Sequence, residues 1–170
     1  MTSRLIIGLI VSVLIGSVSS TVSAASDPTN FLFRKLSFSS AENDQLFRKT
    51  IDEVDALEFE EAGANSNSLV TKVEADNRID GLTFARVLAN AAIIYVQLEQ
   101  PEVALELLNR SVSLVDEESV FHEDIYPLMM VKAQILIKQG KLAEAIDQLR
   151  RAQHIIHRYG GVYSEQQSDV

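Results

Sequence analysis

Two histidines near the end of the sequence, His154 and His157, have the spacing of a metal-binding pair. Residues three apart lie on the same face of a helix, so both imidazoles could reach one metal ion. A structural zinc site needs four ligands, however, and the sequence has no cysteine and no obvious carboxylate beside the pair. Polar residues near a helix C-terminus, where positive charge interacts favourably with the helix dipole, are the better interpretation. We therefore predict no metal site and no cofactor.

The other candidates for chemistry are mostly acidic. Residues 122–124 (His-Glu-Asp) fit a helix cap better than a set of ligands. The acidic runs at 52–53, 58–61 and 116–118 lack the alternating oxygen ligands and central glycine of a calcium loop. No nucleophile elbow, phosphate loop or dinucleotide fingerprint occurs in the sequence. We therefore predict that the protein is not an enzyme and has no catalytic residues.

Charge and composition narrow the range of partners. The 170 residues carry a formal net charge of -9, so the chain lacks the positive field that attracts phosphate backbones, and we predict no nucleic-acid partner. The hydrophobic content of 46% with only 3 prolines argues against a disordered chain. One basic patch could meet an anionic lipid or an acidic partner, although a solvated surface is the simpler interpretation. It comprises Lys141, Arg150, Arg151 and Arg158.

The first 24 residues have the parts of a secretory signal. A single charge, Arg4, precedes an apolar run at residues 5–18, which is shorter than the roughly 20 residues that a membrane-spanning helix needs. Small residues then lead to Val22-Ser23-Ala24, which resembles a signal cleavage site. We predict a cleaved signal peptide at 1–24, no stable membrane span after cleavage, and export to the periplasm, with secretion as the alternative.

An irregular leader is predicted at residues 25–39, directly after the signal. A proline at position 28 and the absence of any helical periodicity argue against regular structure there. Three aromatic residues in this stretch are expected to dock on the first helix. They are Phe31, Phe33 and Phe38.

A partial helical unit is predicted at residues 40–80. Ser39 and Glu42 have capping-box spacing, which predicts a helix over 43–62 that Gly63 would end. One short helix over about 68–77 follows. No segment of the mature chain alternates apolar and polar residues, so no strand is predicted.

Two helical hairpins are predicted beyond this unit, at residues 81–163. Asp80-Gly81 marks the start of a helix that runs to about residue 98, and Pro101 fits the first turn of the next. A second pair covers 126–139 and 142–159, with Gly140 between them. The predicted fold is all-α and consists of antiparallel helical hairpins.

The two hairpins repeat one pattern at a displacement of 41 residues. Small residues stand where helix axes would approach most closely, and larger ones fill the spaces between neighbouring helices. The predicted packing residues are Ala92, Tyr95, Ala104, Leu108 and Ser111 in the first copy, and Ala133, Leu136, Gly140, Ala145, Leu149 and Ala152 in the second.

This pattern resembles the tetratricopeptide-repeat (TPR) family, in its variety with a period of about 42 residues. The second copy carries the resemblance best, from Ala133 through Gly140 to Ala152, whereas the first departs from it at Glu99, Pro101 and Ser111. The resemblance implies a short α-solenoid. The text at 149–170 also resembles envelope-associated repeat proteins of Gram-negative bacteria, and residues 164–170 are either a tail or the start of a capping helix.

The resemblance also implies a binding groove lined by the first helix of each hairpin. Such a groove would bind an extended peptide or a partner helix, which makes the protein a non-catalytic interaction module. The alternative is a structural subunit that self-associates into a homo-oligomer through its open repeat ends. The predicted groove residues are Arg86, Asn90, Ile93, Gln97, Met130, Gln134, Ile137 and Lys138.

Overall fold

The computed structural model describes residues 27–118 and 123–160, and within these ranges all regular structure is helical. A 3-10 turn at Pro28–Phe31 precedes six α-helices. The helices are α1 (Ala41–Asp55), α2 (Phe59–Glu74), α3 (Gly81–Gln97), α4 (Pro101–Glu118), α5 (Ile125–Lys138) and α6 (Leu142–Gly160). The predicted all-α fold class is confirmed. The predicted signal peptide and residues 161–170 lie outside the described ranges.

The six helices form three hairpins that stack side by side. The pairs are α1 with α2, α3 with α4, and α5 with α6. Consecutive hairpins meet where α2 packs on α3 and where α4 packs on α5, and α3 also contacts α5. One hydrophobic core runs through the stack, with a smaller cluster of buried residues between α5 and α6. The predicted arrangement of stacked helical hairpins is confirmed.

All three hairpins close with the same turn. In each, one residue with positive φ follows the first helix: Leu57 (φ 63°), Glu99 (φ 57°) and Gly140 (φ 74°). The next residue donates its N–H to the carbonyl five positions back, for example from Lys141 to Leu136 at 2.9 Å, which ties the helix end. These turns are 42 and 41 residues apart, so the period extends through the N-terminal hairpin as well.

The prediction of one helix over 43–62 followed by a short helix over 68–77 is wrong. α1 ends at Asp55, because Leu57 adopts the left-handed conformation that the sequence suggested only at glycines. Gly63 lies inside α2 and is buried there. A Cβ at this position would come within 2.9 Å of Leu98 Cδ1, so Gly63 serves the close approach of α2 to the end of α3.

The start of α1 also differs from the prediction. Ser40, not Ser39, is the N-cap, and its side chain accepts a hydrogen bond from the Asn43 N–H at 3.4 Å. Asp44 accepts the N–H of Phe38 at 2.8 Å. This second bond fixes the entry of the chain into the helix, which a Ser39–Glu42 capping box would not do.

The start of α3 follows the sequence signal. Asp80 is the N-cap, and its carboxylate accepts the backbone N–H of Thr83 at 2.8 Å and the hydroxyl of the same residue at 2.7 Å. These hydrogen bonds, the backbone one first, hold the pKa of the Asp80 carboxyl below its usual value. α4 begins at Pro101, where a missing N–H costs nothing.

We expect opposite effects on stability from exchanging leucine and glycine at the first and last turns. Leu57 is 73% exposed and has positive φ, so Leu57→Gly relieves strain while losing little burial. Gly140→Leu places a side chain in open space but in the same unfavourable conformation. Leu57→Gly should raise the free energy of unfolding, and Gly140→Leu should lower it, by about 0.5–1 kcal/mol each in urea denaturation. A destabilised Leu57→Gly variant would contradict this account of the turn.

Candidate functional site

Residues 27–38 are here called the leader segment, and the first part of this segment lies across the two helices that were predicted to line a groove. The 3-10 turn of this segment contacts both α3 and α5. Leu32 is buried, and Phe31 and Phe33 on either side of it pack against the same core. The groove is defined here as the surface of α3 and α5 that residues 27–33 cover. In this structure the chain itself occupies it.

The side chain of Asn90, on α3, binds the main chain of the leader segment. The side-chain Oδ1 accepts the N–H of Phe33 at 2.8 Å, and Nδ2 donates to the carbonyl of the same residue at 2.9 Å. Asn90 is only 5% exposed, so both hydrogen bonds are largely shielded from water. A carboxamide supplies one donor and one acceptor, and here both are used by the backbone of one residue. The contact therefore recognises extended main chain rather than any particular side chain.

Arg86 contributes an aromatic contact one turn earlier on α3. The carbon at the centre of its guanidinium group lies 5.8 Å from the centroid of the Phe33 ring. Its Nε donates to Asp124 Oδ2 at 2.7 Å, and Asp124 is buried. The carboxylate thus fixes the position of the cation over the ring, which favours an aromatic residue there.

Asp124 stands at the N-cap position of α5, as the interpretation of residues 122–124 as a cap implies, but its side chain makes no capping hydrogen bond. The carboxylate instead contacts Arg86, which lies 38 residues earlier in the chain. His122 lies outside the described residues. Asp124 therefore supports the groove indirectly, by holding Arg86, a role that its local sequence did not indicate.

The leader segment runs opposite to the direction of α3. Asp27 Oδ1 accepts a hydrogen bond from Gln97 Nε2 at 3.0 Å, at the last residue of the helix. Phe31 packs edge-on against Tyr126 of α5, with ring centroids 6.2 Å apart. Of the three leader aromatics, only Phe38 has a ring contact with the first helix, at Phe47. The expectation that all three dock on that helix is therefore wrong, because Phe31 and Phe33 meet α5 and α3.

The other predicted groove residues have different environments. Ile93 and Met130 are buried, so a charge introduced at either would disturb the core as well as any partner contact. Gln134 is half-buried, whereas Ile137 and Lys138 are exposed at the end of α5. Lys138 lines a separate cavity of about 250 Å³ with Val96 and Glu99, among others.

The predicted packing residues lie mostly between helices. Nine of them are buried: Ala92, Tyr95, Ala104, Leu108, Ser111, Ala133, Leu136, Ala145 and Ala152. Leu149 is half-buried, and Gly140 occupies the turn. The buried hydroxyl of Ser111 donates a hydrogen bond to the carbonyl of Ala85 at 2.7 Å, and this bond joins α4 to α3. This bond explains how a serine occupies a position where the other copy has alanine.

Charged residues outside the groove lie mainly on solvated surface. His154 and His157 are exposed on α6, and within 27–118 and 123–160 no three histidine or acidic side chains converge as a metal site would require. In the basic patch, Arg150 lies 3.7 Å from Asp147. Lys132 is half-buried and donates to Asn109, and desolvation, followed by the nearby Arg151, lowers the pKa of its ammonium group.

Asn90→Ala is expected to release the leader segment without unfolding the helices. The substitution removes both hydrogen bonds to Phe33, each worth about 0.5–1.5 kcal/mol, so the Phe33 amide should exchange with deuterium roughly ten times faster or more. Asn109→Ala is the matched control, because Asn109 is exposed and contacts Lys132 on the side chain only. Hydrogen-exchange mass spectrometry reads both variants. Unchanged exchange at Phe33 in Asn90→Ala would show that the Asn90 carboxamide does not hold the leader segment.

The fold and the groove of residues 27–118 and 123–160 define a class of protein: a short array of three helical hairpins with an extended segment bound across the first helices of the second and third. Comparison with protein-family models, curated proteins and solved structures gave no match. In the part of the chain that the structure describes, no helix is both long and apolar enough to cross a membrane.

Proposed function

We propose that this protein is a non-catalytic interaction module that binds an extended peptide segment of another protein in the groove of α3 and α5. The observation that carries the proposal is the pair of hydrogen bonds between the Asn90 carboxamide and the main chain of Phe33. This contact does not involve the side chain of the bound residue, so any extended segment whose other side chains fit the groove can make it.

An extended segment fits the groove better than a partner helix does. A helix uses its own N–H and C=O groups internally, so its main chain has no donor and acceptor to offer to Asn90 at one residue. Leu32, the residue before the clamp, has the extended conformation with φ -65° and ψ 133°. Of the two kinds of partner that the sequence left open, we therefore propose the extended peptide.

The period of the hairpins supports the resemblance to tetratricopeptide repeats. The turn residues Leu57, Glu99 and Gly140 recur at intervals of 42 and 41 residues, and the small residues Ala62, Ala104 and Ala145 recur at the same intervals and are all buried. We propose that residues 41–160 are three repeats of the long-period TPR type. Repeat arrays of this kind present the first helices of their units as one binding surface.

Self-association through the last hairpin is the second candidate, and it rests on a different observation. Leu142 and Ile146 lie one turn apart on α6 and are 59% and 47% exposed. Ile137, near the end of α5, is exposed as well. An apolar face at the end of a helical array is where another copy could stack.

Site-specific crosslinking separates the two candidates. A photoreactive amino acid replaces Gln97 in the groove, Ile146 on the last hairpin, or exposed Gln153 as the control position. The groove proposal predicts adducts with a different protein from position 97 and none from position 153. Adducts with a second copy of the chain from position 146, together with none from position 97, would instead establish the structural subunit and refute the groove proposal.

We also propose that the protein is exported after cleavage behind Ala24, with the periplasm as its destination. The support is the charge, apolar run and small residues of positions 1–24. Intact mass of the protein from its native cells, taken separately from periplasmic and medium fractions, tests this. A mature chain that begins at Ala25 and is found in the periplasmic fraction is expected. A chain that retains residues 1–24 would refute it.

A further inference from the structure

The leader segment contacts the groove through side chains as well as through its main chain. Asn90 clamps the backbone of Phe33, Arg86 lies over the ring of that residue, and Tyr126 meets the ring of Phe31 edge-on. Leu32, between the two phenylalanines, is buried. The groove thus has one backbone clamp and two contacts that suit aromatic rings, one at the clamped residue and one two residues earlier.

The two aromatic contacts are built from elements that are far apart in sequence. Arg86 is held over the Phe33 ring by the buried carboxylate of Asp124, at 2.7 Å from Nε to Oδ2. Tyr126 follows two residues later, at the start of α5. The same helix end therefore supplies both the partner that orients the cation and the ring that meets Phe31. Such a joint arrangement selects for a pair of aromatic residues at a fixed spacing.

We propose that the partner segment carries two aromatic residues separated by one residue, in extended conformation, and that the leader segment competes with it for the groove. This inference rests on the proposed peptide-binding function and names the chemistry of the peptide. The partner segment runs antiparallel to α3, as the leader segment does. Its second aromatic residue lies beneath Arg86, and the backbone of that residue is hydrogen-bonded to Asn90. Binding requires the leader segment to leave, so the chain's own residues lower its apparent affinity.

Competition within one chain has a measurable consequence. When the leader occupies the groove for most of the time, the apparent dissociation constant of an external peptide rises in inverse proportion to the fraction of open groove. Weakening the leader should therefore strengthen binding of the peptide. Asn90 contacts leader and peptide alike, so its substitution would weaken both and cannot separate them. Phe33→Ala in the full mature chain weakens only the leader.

Fluorescence anisotropy with a labelled peptide of residues 27–36 tests the proposal. Phe33→Ala protein should bind this peptide at least about tenfold more tightly than the unaltered protein does. Tyrosine in place of the second aromatic residue of the peptide should preserve binding, whereas leucine should weaken it roughly two- to thirtyfold because the cation–π contact is lost. Alanine at the first aromatic residue should weaken it as well. Far-UV circular dichroism checks that the variant is folded. If Phe33→Ala is not folded, Phe31→Ala takes its place and carries the same prediction.

Each other outcome refutes a defined part of the account. Equal binding of the parent, leucine and alanine peptides would overturn the aromatic preference and leave the peptide-binding function standing. Equal affinity of variant and unaltered protein would overturn the competition. No binding of any peptide to a folded variant would overturn both the inference and the proposed function.

Discussion

Replacing Ala145 by aspartate is expected to lower the free energy of unfolding by about 3–5 kcal/mol, the range typical of an unpaired charge left in a packed interior. Ala145 is 1% exposed and packs in a cluster with Ala133, Leu136 and Leu149, between α5 and α6. Alanine allows the two helices to approach closely there, and an aspartate would need both space and a partner for its charge. Thermal and urea denaturation measure the loss.

Ala143→Asp is the matched control for this substitution. Ala143 lies two residues earlier in the same first turn of α6 but is exposed. An acidic residue there interacts favourably with the helix dipole, so this variant should be neutral or slightly more stable. If Ala145→Asp melts at the same temperature as Ala143→Asp, α5 and α6 do not pack as described.

The second large effect is expected at Leu108, on α4. Its side chain is fully buried in the main core, so Leu108→Ala should cost about 2–5 kcal/mol, the sum of lost burial and the cavity left behind. Urea denaturation followed by circular dichroism gives the difference directly. The magnitude depends on how far the surrounding helices α3 and α5 can close the cavity.

Leu149→Ala tests whether equivalent positions of two repeats differ in their contribution to stability, as their different burial implies. Leu149 stands 41 residues after Leu108 at the same place in the pattern, yet it is only half-buried, because α6 is the last described helix of the stack. Its truncation should cost about 1 kcal/mol, well below the cost at Leu108. Equal costs at both positions would mean that a further element covers α6 as completely as the third hairpin covers α4.

The N-terminal hairpin shows why part of the fold escaped prediction. Three of its five counterparts of the packing residues are polar: Thr50 and Glu53 on α1 and Ser66 on α2, all of them buried. Each of these buried polar side chains requires a hydrogen-bond partner, which a single sequence does not reveal. Glu53, for example, accepts from Asn65 Nδ2 at 2.8 and 2.7 Å, and Thr50 donates to the Leu46 carbonyl at 2.9 Å. The period was visible only where apolar residues repeat, so this unit seemed incomplete.

Part of the proposed groove was visible in the sequence. The resemblance to tetratricopeptide repeats assigned Asn90, Arg86 and Gln97 to a groove, and in the structure all three contact the leader segment. The leader as the occupant was not predicted, because contacts between Phe33 and Asn90 span 57 residues and leave no local pattern. Asp124 was overlooked for the same reason. The aromatic residues in an otherwise irregular stretch were the one available signal.

Deuterium exchange at the Phe33 amide of the protein itself, with and without the added peptide of residues 27–36, tests the central claim most directly. This amide donates to Asn90 in the structure, so a peptide that enters the groove must displace it. Saturating peptide is expected to accelerate exchange at Phe33 by about tenfold or more while buried Leu108 remains protected. A peptide that binds and leaves Phe33 exchange unchanged would show that the groove of α3 and α5 is not the binding site.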